Sequence, residues 1–90
     1  MRVTLICQDK PGALQIRLEN RAAHLAHIQA SGVVEMAGPF VTPDGQMTGS
    51  LVVLVVDALA DAKAWAAADP YALAGLFQSV HITEWKKVVG

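Results

Sequence analysis

Six consecutive apolar residues, Leu51-Val52-Val53-Leu54-Val55-Val56, constrain the fold of this chain more than any other feature. The run is rich in β-branched side chains and far shorter than the roughly 20 residues a membrane-spanning helix needs. It reads as a strand. A sheet with helices on one side and water on the other alternates apolar and polar residues along its strands, and here the alternation is absent. Both faces of this strand are therefore expected to be dry. The chain has 90 residues, 53% of them hydrophobic, enough for one small core but not for a further layer of its own. A single domain over residues 1–90 is expected, with the open sheet face covered by a second copy of the chain. The alternative is a strand buried mainly by its own loops.

The remaining segments supply the partners of that strand. Val3–Cys7 is short, β-branched and apolar, and Asp9-Lys10-Pro11-Gly12 follows as a turn. Leu14, Leu18, Ala22, Leu25 and Ile28 recur at spacings of three and four up to Ser31-Gly32, the signature of a helix ended by glycine, with Asn20 as an alternative N-cap. Val33–Val41 and Met47–Val56 read as strands joined by the turn Thr42-Pro43-Asp44-Gly45. Asp57 is placed to cap a second helix that runs to about Ala68, with Leu59, Ala62, Trp65 and Ala66 on its inner side. A short helical turn from Pro70 and a strand Ser79–Val88 complete the order β-α-β-β-α-β. That order predicts an α+β, ferredoxin-like antiparallel sheet with helices on one face.

Charge and cysteine content exclude several classes of function. Seven basic against eight acidic residues leave a net charge of -1, with no cationic stripe beyond Lys86-Lys87, so a nucleic-acid partner is not expected. Cys7 is the only cysteine, which rules out an internal disulfide and a thiolate metal cluster. The N-terminus has no basic-then-apolar signal pattern. A cytoplasmic protein with no membrane association is the expectation.

The first helix separates the histidines. At about 100° per residue, with Leu25 as the centre of the buried stripe, Leu14, Leu18, Arg21, Ala22 and Ile28 fall within about 60° of it. His24 lies about 100° to one side, near Arg17 and Arg21, whereas His27 points nearly opposite the core and is expected in solvent. A boundary imidazole either satisfies a backbone carbonyl or reaches a ligand. No carboxylate or thiolate stands at ligand spacing beside His24 and His27, so no metal site is expected. Asp69, before Pro70, is a favoured N-cap for the short turn; one carboxylate oxygen can cap while the other receives an imidazole N–H. Gly38-Pro39 and Gly49-Ser50 mark either close backbone approach or room for a ligand, with the Ser50 hydroxyl at its edge. His81 shares a strand face with Ser79, Thr83 and Trp85 and reads as a lining or dimer-face residue.

Arg21-Ala22-Ala23-His24-Leu25, Ala37-Gly38-Pro39, Thr48-Gly49-Ser50-Leu51 and Ala68-Asp69-Pro70-Tyr71, with Ala74-Gly75-Leu76, together resemble the YciI-like family of small proteins. The resemblance runs from Cys7-Gln8-Asp9 to Lys86-Lys87-Val88. It implies a ferredoxin-like fold that pairs into a dimeric α/β barrel, and an active-site pair at His24 and Asp69. It also implies proton-transfer chemistry, such as dehydrochlorinase-type elimination from a chlorinated hydroxyaromatic ring. This chain departs from many relatives in having Ala22 where they carry proline, and in a shorter Val41–Thr48 hairpin that bears on the pocket mouth. The expected function is a small cofactor-independent lyase or isomerase acting on a small cyclic oxygenated molecule. In it His24 transfers the proton and Asp69 orients the ring, while Arg21, Ser50, Gly38, Pro39 and Tyr71 hold the substrate. The competing expectation is a dimeric binding or accessory module without turnover.

Overall fold

The computed structural model describes all residues, Met1–Gly90. Its elements are β1 (Arg2–Asp9), α1 (Leu14–Ser31), β2 (Val34–Val41), β3 (Met47–Val55), α2 (Leu59–Ala68), α3 (Pro70–Leu73) and β4 (Phe77–Trp85). The four strands form one antiparallel sheet in the order β2-β3-β1-β4, the ferredoxin-like arrangement. β1 and β3, the most buried strands, occupy the centre.

The core lies on the helix-covered face. Val3, Leu5 and Cys7 of β1, with Val52 and Leu54 of β3 and Val56 just beyond it, pack against Ala62 and Trp65 of α2. Burying a Val or Leu side chain fully contributes about 1.5–3 kcal/mol each, so these strands anchor the domain. A smaller cluster of Ala13, Tyr71 and Leu76 joins the start of α1 to α3. Gly49 permits the close approach of β3 to β1: a Cβ there would collide with the Cys7 carbonyl oxygen. The opposite face, set by alternation and register, carries Ile6, Met36, Phe40, Val55 and Trp85, each more than a third exposed. His81 lies on that face, paired with Ile6. Val53 in its middle is buried. No helix is long and apolar enough to cross a membrane.

Several expectations about the elements are corrected. α1 runs unbroken through Asn20, whose side chain donates to the Ile16 carbonyl, and ends at Gly32 in the left-handed conformation, φ 66°. α1 is also rotated from the apolar prediction. Leu14, Leu18 and Leu25 are exposed, while Arg17 and His24 are its buried residues. The reason is that both polar groups find hydrogen-bond partners beneath the helix, Asp9 and Ser50 for Arg17 and Asp69 for His24, which hydropathy alone cannot register. His27 is half-buried rather than solvated: it bonds the Trp65 carbonyl at 3.1 Å and packs on the indole at 4.5 Å. Asp57 is not the cap of α2; Ala58 holds that position, and its N–H donates to the Asp61 carboxylate. β4 begins at Phe77 and stops at Trp85, opposite Arg2, because β1 offers nothing further for Lys86–Val88 to pair with.

Candidate active site

The local sequence around Asp69 builds one wall of a cleft. Pro70, with its preset φ, opens α3, and the Asp69 Oδ1 accepts the Tyr71 N–H at 3.0 Å. The same Oδ1 lies 2.7 Å from His24 Nδ1. One oxygen thus performs both tasks, using its two lone pairs, where the sequence had them divided between the two oxygens. Both residues are buried. Placing the proton on Nδ1 makes that nitrogen a donor to the carboxylate and leaves Nε2 as the acceptor. Nε2 has no partner in the chain, yet no fully buried side-chain nitrogen or oxygen lacks one. It is therefore reached from the cleft that His24 lines.

Tyr71 fixes the imidazole from its face. The two rings stack at 3.9 Å between centroids and 14° between planes. The Arg17 guanidinium sits 4.8 Å from the Tyr71 centroid. Burial raises the Tyr71 pKa, and the positive charges of Arg17 and Arg21 oppose the rise.

A second buried pair lies alongside. Arg17 Nε and Nη2 donate to the two carboxylate oxygens of Asp9, each at 2.8 Å, and Nη2 also donates to Ser50 Oγ at 2.9 Å. Burial acts to lower the Arg17 pKa, but the bonds and charge of Asp9 outweigh it and the net change is upward. The sequence reading missed this role: Asp9 was part of a turn and Arg17 only a neighbour of His24. The available signal was spacing, since Arg17 precedes His24 by seven residues, two helical turns, and so shares its face.

Between α1 and the β2–β3 hairpin opens a cavity of about 190 Å³. Arg21, His24, Tyr71, Gly38, Pro39 and Ser50 all line it, with Arg17 and apolar groups that include Leu25, Ile28 and Met47. Asp69 stands behind His24. Ser50 is on the buried floor, not the rim. Gly49 is absent from the lining and serves close strand approach. An apolar cavity of about 150 Å³ admits benzene, so this one has room for a single substituted ring. The chain's ion pairs join Arg2 to Glu35, Arg17 to Asp9 and His24 to Asp69; Arg21 has none. The cleft therefore offers a base and one uncompensated positive charge.

The sequence profile of the YCII-related domain matches residues 1–86. Protein YciI of Escherichia coli O6:H1 is 38% identical over 97 aligned positions that cover 98% of this chain and 99% of that protein. An uncharacterized protein of Haemophilus influenzae is 37% identical with the same coverage. Among solved structures, 5-chloro-2-hydroxyhydroquinone dehydrochlorinase (TftG) from Burkholderia phenoliruptrix, in complex with 2,5-dihydroxybenzoquinone, superimposes with a TM-score of 0.86 and 32% identity. The match covers 96% of this chain and 94% of that one.

Proposed function

The chain belongs to the YCII-related family, and on that premise we propose that it is a cofactor-independent enzyme transferring a proton on a small cyclic oxygenated molecule. The observation that carries this reading is the 2.7 Å contact of His24 Nδ1 with Asp69 Oδ1 at the wall of a ring-sized cavity. Asp69 holds the imidazole in the tautomer whose Nε2 is free, and stabilises the imidazolium once the proton is taken. Tyr71 keeps the ring plane fixed. Arg21 attracts an oxygen of the substrate, and Gly38, Pro39 and Ser50 complete the enclosure.

A positioned base of this kind supplies about 10²- to 10⁴-fold in rate, which suits an activated C–H or O–H. Loss of hydrogen chloride from a chlorinated hydroquinone is such a case, and the similarity to TftG supports it. There the proton goes to the base, its bonding pair stays with the ring system, and chloride leaves with the electrons of the C–Cl bond. The test is chloride release from 5-chloro-2-hydroxyhydroquinone, with His24→Asn alongside the wild type. Conversion that falls about 10²- to 10⁴-fold in the variant supports the reading. Unchanged conversion in the variant removes His24 from the mechanism, and a wild type that binds the hydroquinone without releasing chloride assigns the cleft to binding without turnover.

The exposed apolar face of Ile6, Met36, Phe40, Val55 and Trp85 supports a homodimer closed sheet against sheet. Light scattering at micromolar concentration tests it. A well-folded monomer contradicts it.

A further inference from the structure

The second histidine of α1 takes no part in the cavity lining, yet it is tied to the segment that carries Asp69. His27 Nε2 lies 3.1 Å from the Trp65 carbonyl oxygen. A carbonyl only accepts, so Nε2 holds the proton and donates. The bond fills a gap at the end of α2. In a regular helix the Trp65 carbonyl would receive the N–H of Asp69, four residues on, but that N–H turns back to the Ala66 carbonyl at 3.3 Å. α2 has no basic residue in its own last turn to act as a substitute. The Trp65 side chain is held as well: its Nε1–H donates to Ser31 Oγ at 3.0 Å, and the His27 ring lies against the indole at 4.5 Å between centroids.

Asp69 is the joint between two helices, the C-cap of α2 and the N-cap of α3. It stands about one turn after Trp65, and His24 stands about one turn before His27. Two rungs therefore cross between the same segments, His27 to Trp65 and His24 to Asp69, and only the second reaches the cavity. We propose that His27 is a positioning residue for the base: by donating to the Trp65 carbonyl it sets where α2 ends, and so holds the Asp69 carboxylate at His24 Nδ1. The proposal rests on the proton-transfer reading of the cavity. A side chain bonded to Asp69 Oδ1 itself would compete with His24 and Tyr71, which that oxygen already serves. Acting through the backbone of α2 avoids the competition. The requirement is strict, because a displacement of about 1 Å at a catalytic pair can cost about 10²-fold in rate.

The experiment follows solvent exchange of the His24 Nδ1 proton by NMR on isotope-labelled protein without substrate, with the backbone amides of β1 and β3 as reference. His27→Phe keeps a ring on the indole and removes the donor. It should speed the His24 exchange about 10-fold, as for loss of one hydrogen bond, and leave the reference amides at wild-type rates. His27→Gln, which keeps an amide donor without the ring, should stay within about 2-fold of wild type. If His27→Phe does not fold, His27→Leu, also without a donor, is expected to give the same acceleration. In the chloride assay His27→Phe should lower kcat about 10-fold at unchanged KM, with His27→Gln restoring it. Exchange in His27→Phe at the wild-type rate overturns the proposal. So does equal acceleration of His24 and the reference amides, which marks a general loss of stability, or a His27→Gln that exchanges as fast as His27→Phe, which marks packing in place of the hydrogen bond. A wild type that releases no chloride contradicts the proton-transfer reading alone, because the exchange is read without substrate.

Discussion

Asp69 Oδ1 serves an element and a side chain at once: it caps α3 through Tyr71 N–H and receives His24 Nδ1. Asparagine keeps a capping oxygen but not the charge. Asp69→Asn should therefore leave the melting temperature within a few degrees of wild type while lowering turnover, since the imidazolium loses its counter-charge. Calorimetry and a turnover assay on one preparation check both halves. The Asp9–Arg17 pair is buried, so removing one partner strands a charge. Asp9→Ala should destabilise by about 3–5 kcal/mol in urea unfolding. Cys7 provides a pH signature. Burial, reinforced by the charge of Asp69, pushes its thiol from an ordinary 9.0 up to about 12. The folded chain then keeps a proton that the unfolded chain releases. Stability is full below about pH 9 and falls as pH rises toward 12, by up to about 1.4 kcal/mol per unit. Urea unfolding at pH 8 and at pH 10.5 measures the decline, and Cys7→Ala should flatten it.

At the scale of elements, strands were more legible than helix faces. The runs Val3–Cys7 and Leu51–Val56 declare themselves by β-branching, and Gly32 by its place after a periodic segment. α1 misled because its leucines point out and its inner stripe is polar. Arg17 and His24 are inside only because Asp9, Ser50 and Asp69, distant in sequence, complete them. Local periodicity holds no record of such partners. The proline after Asp69 did declare a cap, and hence the start of α3. Gly49 and Gly38 differ in a way only the sheet shows. Gly49→Ala drives a methyl into the Cys7 carbonyl and should cost more than about 3 kcal/mol. A Cβ at Gly38 meets nothing within 4 Å, so Gly38→Ala should fall within about 0.5 kcal/mol of wild type. Thermal unfolding of the two variants side by side makes the comparison.

For the whole molecule, the sheet has one face built into a core and the other left apolar. Leu51–Val56 pointed to that asymmetry, because a strand facing water would alternate. If a second copy closes this face, Val55→Asp should produce monomers without loss of secondary structure, as seen by light scattering and circular dichroism. The cavity lies on the helix side of the sheet, lined by α1, α3 and the β2–β3 hairpin, so its chemistry can be examined in either assembly state. The central claim is that His24, aligned by Asp69, moves a proton for a molecule held in this cavity. The most direct measurement is the rate of chloride release by wild type and His24→Asn under identical conditions, with both proteins verified as folded. The account predicts measurable release by the wild type and a loss of at least about 10²-fold in the variant. Equal rates in the two proteins would contradict it.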